Sequence, residues 1–307
     1  MRFFQDKSHH RIVFSANFRY TVNGDTMKMI HKLLDQMSLI PINFQYTDPQ
    51  PLSGQGFCFQ SMMQQTVYGT YWKTKESSKQ TWLVLFHGLG AHTRTDGYLD
   101  FVKKWLQQGY DVIGIDVRGQ GGRTQNHRQI DPKGLYLTGY PKFEEYYYSL
   151  IYMDSYRLID ICQIIEPQHK IIANGGSQGG ALALFVGAMH HNVQMILADM
   201  PSNTDIPYLI THSKGGFQAF LSHDHLEPWL LEDIDLLSYA HLIQKPILLA
   251  SGSIDDICPL KTCESLYQKL STKKSMIVYH GFGHGGYDDM HFPKKLKFIE
   301  EHINEGQ

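Results

Sequence analysis

The sequence predicts an α/β fold, a mostly parallel central sheet with helices on both faces and an N-terminal decoration, and three observations lead to it. First, short continuous apolar runs recur at helix-length intervals: Trp82 to Phe86, Val112 to Ile115, Ile171 to Ala173, Met195 to Ala198, Ile247 to Ala250 and Met276 to Tyr279. Runs without polar alternation are strands buried on both faces, as parallel strands covered by crossover helices are. Second, Ile171 to Ala173 leads into Asn174-Gly175-Gly176-Ser177-Gln178-Gly179-Gly180 and then Ala181 to Val186, a strand, a sharp turn and a helix former in succession. Third, functional side chains follow the apolar runs, as expected where ligands bind at the carboxyl edge of a parallel sheet.

Composition sets the outer bounds. At 307 residues, 42% hydrophobic and 12% aromatic, the chain buries a large core. The expected organisation is one domain, with residues 1–80 an N-terminal extension and edge strands packed on a core of residues 81–307. Lys and Arg number 28 against 30 Asp and Glu, with no long basic stripe, so nucleic acid is not an expected partner. The start, Met1-Arg2-Phe3-Phe4-Gln5-Asp6-Lys7, reaches charge before any signal-length apolar stretch, and no segment approaches the roughly 18 apolar residues of a membrane span. The expectation is a cytoplasmic protein without a membrane partner. Cys58, Cys162, Cys258 and Cys263 lack metal-type spacing and read as reduced thiols. His9-His10, His190-His191 and His223/His225 invite a metal reading, but no carboxylate-supported ligand set accompanies them, so surface histidines are the better account and no metal or cofactor is expected.

In chain order, Thr26 to Met37 has helical spacing through Met27, Ile30, Leu33, Leu34 and Met37, closed by Pro41. Gly56 to Trp72 alternates enough for one or two strands before the polar turn Lys73 to Lys79. His87-Gly88-Leu89-Gly90 follows the first buried run and exposes backbone N–H groups that suit a developing oxyanion, though a plain strand-to-helix turn reads the same way. In Gly175-x-Ser177-x-Gly179 the glycines let strand and helix approach closely around a strained serine, whereas a serine merely capping the helix is the plainer alternative. Ser251 to Pro259 carries Asp255 and Asp256, of which one can face a given partner. Of His280, His284 and His291, the first ends a strand and the last begins a helix, while His284 sits between glycines free to swing toward Ser177. Serine, carboxylate and histidine thus follow strands in the order of the α/β-hydrolase triad.

These stretches resemble the acetyl xylan esterase and cephalosporin C deacetylase group of α/β-hydrolases, carbohydrate esterase family 7. The resemblance rests on Asp116-Val117-Arg118-Gly119-Gln120-Gly121, Tyr146-Tyr147-Tyr148 with Asp154-Ser155-Tyr156-Arg157, the Gly-Gly-Ser177-Gln-Gly-Gly elbow, Leu237-Ser238-Tyr239, and Ile254-Asp255-Asp256-Ile257-Cys258-Pro259. It implies Ser177 as nucleophile, Asp255 as acid, His284 as base, and the backbone N–H groups of Leu89 and Gln178 as oxyanion hole. It further implies that Arg118 and Gln120 support the site, that the substrate is a small acetyl ester, and that copies assemble into hexameric rings. The chain departs from the family pattern with Gly285 where a Glu follows the catalytic histidine, and with Leu89 where an aromatic stands.

Two groups read either way. Cys258 suits packing better than nucleophilic attack, because no base follows it at triad spacing. Tyr136, Tyr140, Phe143 and Tyr146 fit an entrance lining or ordinary packing. A thioesterase or peptidase of the same fold would keep the triad; a non-catalytic binding relative would have lost it.

Overall fold

The structure is a computed structural model that describes residues 28–75, 79–223 and 226–303. The chain opens with α1 (Lys28–Ser38) and three strands, β1 (Gln45–Gln50), β2 (Gly54–Gln60) and β3 (Thr66–Trp72). It continues through β4 (Thr81–Phe86), α2 (Asp96–Gln107), β5 (Asp111–Ile115), α3 (Tyr147–Ile165), β6 (Lys170–Gly176) and α4 (Gln178–Met189). β7 (Val193–Asp199), α5 (Ile206–His212), α6 (Pro228–Ile234), β8 (Ile247–Gly252), α7 (Leu260–Lys269), β9 (Lys274–Tyr279) and α8 (Asp288–His302) complete it. The nine strands form one sheet in the order β1-β2-β3-β5-β4-β6-β7-β8-β9. From β5 to β9 every neighbouring pair is parallel, and β1, β2 and β3 extend the sheet as an antiparallel meander joined to β5.

The continuous apolar runs are explained by which face each residue serves. Along β4, Trp82, Val84 and Phe86 face the core shared with α1, α3 and α4, while Leu83 and Leu85 face the core shared with α2 and α8. Ile171 and Ala173 of β6 and Ile247 and Leu249 of β8 take the first side, and Ile172 and Leu248 the second. A strand with helices on both faces has no solvent side, so the period of two disappears from its hydropathy.

α1 buries Ile30, Leu33 and Met37 against α3 and α6, the stripe expected from the sequence, and Met27 lies outside the described residues. Arg157 of α3 closes its C-terminal end, donating to the carbonyls of Ile40 (2.9 Å) and Met37. β1 was not anticipated: Gln-Tyr-Thr-Asp-Pro-Gln is polar, contains Pro49 and is largely exposed, so it carries no apolar period. Its place at the edge of the sheet is where a proline costs no ladder bond. Residues 1–27 of the expected N-terminal extension, His9, His10, His225 and residues 76–78 of the polar turn lie outside the described residues. All four cysteines are free. Among the described residues no helix is long and apolar enough to cross a membrane.

Candidate active site

The sheet order puts the ends of β6, β7, β8 and β9 side by side at one edge, and the loops leaving them carry Ser177, Asp199, Asp255 and His284. Ser177 stands between β6 and α4 at φ 55°, ψ −120°, a conformation that costs an L-residue of order 1–3 kcal/mol and persists only where its surroundings impose it. Here they do. The Ser177 N–H donates to the Asp199 carbonyl (2.9 Å), and the Ser177 carbonyl accepts from the N–H groups of Ala181 and Ser202, each at 3.0 Å. The flanking glycines are required by contact: a Cβ on Gly175 would lie 2.4 Å from the backbone of Gly179, and one on Gly179 would lie 2.2 Å from the Phe86 carbonyl oxygen. The elbow is thereby pressed against the end of β4, next to the loop His87 to Gly90.

That loop is fixed by two side chains. His87 is buried; its Nε2 accepts the Val117 N–H (3.0 Å), so its proton is on Nδ1, which donates to the Gly88 carbonyl (2.9 Å). Burial pushes its pKa down, which keeps the ring neutral in this role. Gln120, after β5, accepts the Gly90 N–H through Oε1 (2.8 Å) and donates through Nε2 to the Tyr147 hydroxyl (2.6 Å) and to Gln178 Oε1 (2.8 Å). One amide thus ties the loop bearing Leu89 to the first residue of α4, whose opening N–H groups have no intrahelical partner. Leu89 itself is 45% exposed.

Arg118 works elsewhere. Its fully buried guanidinium pairs with Asp154 of α3 through Nε–Oδ2 (2.5 Å) and Nη2–Oδ1 (2.7 Å), and donates to the Met62 carbonyl (3.1 Å). It fastens the β2–β3 connection to α3 and reaches the site only through its own carbonyl, which accepts from the Tyr147 hydroxyl (2.7 Å).

Asp255 and His284 meet. The carboxylate Oδ2 lies 2.8 Å from His284 Nδ1, and Oδ1 accepts the backbone N–H groups of Ile257 (2.9 Å) and Cys258 (2.8 Å). The Asp255 side chain is wholly buried while that of His284 is 26% exposed, so the pair has a dry anchor and an open face. Asp256 turns outward to Lys214 (2.9 Å), whose ammonium holds its carboxyl below the usual range. His280 is exposed at the end of β9, and His291 is buried in α8 facing Asp199 and Tyr279. The Cys258 thiol interacts with the Ser177 side chain, and burial, with Asp255 next to it, pushes its pKa far up, so it is a thiol and no nucleophile. Tyr136, Phe143 and Tyr146 are buried, and Tyr136 packs on Phe217 with ring centroids 4.7 Å apart, while Tyr140 packs on Phe220 at 5.3 Å.

The sequence reading gave no role to Asn174, Asp199, His291 and Lys295, which are buried together behind the elbow. The signal it had was positional: Asn174 and Asp199 interrupt apolar strands just before the carboxyl edge.

The family model for acetyl xylan esterase (AXE1) matches residues 25–302. The chain belongs to the acetyl xylan esterase family. Among solved structures, the family's fold is shared with the acetyl xylan esterase from Paenibacillus sp. R4 at 25% identity, covering 92% of this chain and 96% of that one with a TM-score of 0.80. Acetyl xylan esterase 1 from Thermoanaerobacterium sp. JW/SL YS485 superposes with a TM-score of 0.78 at 22% identity, covering 90% and 94%. Acetyl esterase Axe7A of Xylanibacter ruminicola is 21% identical over 226 residues, 69% of this chain and 51% of that protein. The chain thus spans about half the length of the curated relative it matches. The fold is that of the α/β-hydrolases, and the family is one of carboxylic ester hydrolases.

Proposed function

We propose that the protein is a serine esterase that removes acetyl and other short acyl groups from hydroxyls of small sugars or related alcohols, through an acyl-enzyme on Ser177. The observation that carries the reading is the Asp255–His284 contact of 2.8 Å at the sheet edge that also bears the strained Ser177. The carboxylate holds the proton on His284 Nδ1, which leaves Nε2 as a base. Nε2 takes the Ser177 proton as Oγ attacks the ester carbonyl, and the tetrahedral oxygen is met by the N–H groups of Leu89 and Gln178. The imidazolium, stabilised by Asp255, gives its proton to the departing alkoxide. Water then enters, is deprotonated by the same Nε2, and releases the acid. Gln120 supports the reading because it links the Gly90 N–H, next to Leu89, to the side chain of Gln178.

The acetyl group and the sugar alcohol come from the names of the relatives, and the extension to the acetyl ester of cephalosporin C rests on the family resemblance of the sequence motifs. Assembly as a homohexamer is proposed on the family resemblance, and light scattering of the purified protein tests it. The decisive experiment compares hydrolysis of acetyl, butyryl and longer p-nitrophenyl esters, acetylated xylose and an aminoacyl anilide. The expected result is acetyl-ester turnover that Ser177→Ala reduces by at least about 10⁴-fold with the fold intact. Turnover of p-nitrophenyl acetate by Ser177→Ala at the wild-type rate, or preference for the anilide, overturns the reading.

A further inference from the structure

Behind the elbow, a charged cluster that the proposed reaction does not use joins three elements. Lys295 of α8, 6% exposed, donates through Nζ to Asn174 Oδ1 of β6 (2.8 Å) and to Asp199 Oδ2 at the end of β7 (2.5 Å). His291, one turn earlier on the same helix face, bonds through Nε2 to Asp199 Oδ1 (2.9 Å) and through Nδ1 to the Tyr279 hydroxyl of β9 (3.0 Å). Asn174 is three residues before Ser177, and the Asp199 carbonyl accepts the Ser177 N–H. α8 is therefore bolted to both strands that present the elbow. Burial alone would raise the Asp199 pKa, but the Lys295 ammonium and His291 outweigh it and hold the carboxyl below its usual range, so the cluster is ionic.

The loop carrying His284 leads directly into the start of α8, the half of the helix that bears His291 and Lys295. That loop is weakly determined by itself: Gly281, Gly285 and Gly286 have φ of 79°, 112° and 85°, and a Cβ on Gly281, Gly283 or Gly285 would meet nothing within 4 Å. Its entrance is tied by the Gly281 N–H to Ser253 Oγ (2.9 Å), and its exit by Tyr287, stacked on Tyr279 at 4.2 Å. Between α2 and the start of α8 lies a cavity of about 390 Å³ bordered by Tyr98, Phe101, Gly176, Asp199, Asp288 and Lys295. The opening turns of α8 pack on α2 through Phe292 against Trp105 (ring centroids 4.7 Å apart) and through Asp289 to Lys104 (2.6 Å), and the polar cluster adds directional bonds to β6 and β7.

Stability alone is a poor account of such a cluster, because buried ion pairs repay little more than their desolvation and apolar replacements of similar volume are often as stable. What directional bonds add is register. We infer that Lys295, His291 and Asp199 are positioning residues that lock the start of α8, and with it His284, in place relative to Ser177. The inference rests on the proposed triad.

The test uses Lys295→Met, the charge-free double variant Lys295→Met/Asp199→Asn, and Lys295→Arg, with wild type alongside. Turnover of p-nitrophenyl acetate, the rate of Ser177 labelling by a fluorophosphonate, and thermal unfolding are measured on each, with turnover expressed per folded molecule. The expected result is a fall in kcat and in labelling rate of about 10- to 100-fold in the two Met-containing variants, the size of effect an ångström-scale misplacement produces, with KM little changed. Lys295→Arg should recover most of the loss. Equal kcat in wild type and in either Met-containing variant overturns the inference, as does a loss that vanishes once turnover is expressed per folded molecule. Absence of both esterase turnover and labelling in wild type overturns instead the esterase reading on which it rests.

Discussion

Asp255 and Asp256 are adjacent carboxylates with opposite surroundings, and replacing each by asparagine separates the proposed chemistry from mere charge. Asp255 Oδ1 accepts two backbone N–H groups, from Ile257 and Cys258, which only an oxygen can do. In Asp255→Asn the amide oxygen therefore keeps that position, and the NH₂ group occupies the place of Oδ2, 2.8 Å from His284 Nδ1. A donor there forces the imidazole to present its lone pair at Nδ1 and its hydrogen at Nε2. In that tautomer nothing accepts the Ser177 proton. Loss of this kind reduces kcat by about 10⁴, or roughly 5.5 kcal/mol of transition-state stabilisation, with geometry otherwise kept. Asp256, exposed and paired with Lys214, is expected to be replaceable by asparagine with kcat within about twofold of wild type, since exposed pairs contribute little. Steady-state hydrolysis of p-nitrophenyl acetate, with thermal unfolding to verify the fold, measures both. An Asp255→Asn enzyme within about tenfold of wild type, or an Asp256→Asn enzyme reduced by orders of magnitude, refutes the argument about the proton.

Two further outcomes follow from contacts outside the triad. Gly179→Ala places a Cβ 2.2 Å from the Phe86 carbonyl oxygen and 3.0 Å from that of His87, backbone atoms with no room to turn aside, so the elbow must retreat. The expected cost is about 1–3 kcal/mol in urea unfolding together with reduced turnover, and a variant as stable as wild type contradicts the close approach. Asp116 is buried, and although burial would raise its pKa, Arg123 (2.8 Å) and the Thr93 hydroxyl (2.5 Å) prevail and hold it below the usual value. Because its folded pKa lies under the unfolded value of about 3.9, its stabilisation is complete above that value and is lost as the pH falls through the folded one. Asp116→Asn should accordingly be less stable than wild type at neutral pH, with the gap in melting temperature closing toward pH 3; a gap that widens on acidification is the contrary result.

What could be seen in the sequence, and what could not, divides by the range of the forces involved. The parallel sheet was legible because burial on both faces writes itself locally, as the runs Trp82 to Phe86 and Ile247 to Ala250 show. The elbow was legible because a strained serine needs glycine at Gly175 and Gly179, a requirement confined to five residues. β1 left no trace because an exposed edge strand needs no apolar period, and Pro49 argues against it on local grounds. The pairing of Arg118 with Asp154, and of Lys295 and His291 with Asp199, is decided by which ends of the sheet meet which helix, and no local pattern records that.

This distinction bears on the departure at Gly285. A residue beside His284 that could have held the loop locally is missing, and Gly281, Gly283, Gly285 and Gly286 around it leave the backbone little restricted. Yet the imidazole stands 2.8 Å from Asp255, so the order has another source. The contacts available for it include the Gly281 tie to Ser253, the stacked Tyr279 and Tyr287, Phe292 on Trp105 and the ionic cluster behind the elbow, none of them adjacent to His284 in sequence. A loop secured at its two ends tolerates change at its centre, whereas one secured at its centre tolerates change at its ends. For this chain a substitution at Lys295, eleven positions beyond His284 in sequence, is therefore expected to disturb turnover more than Gly283→Ser, whose side chain would meet open space at a backbone conformation outside the left-handed region.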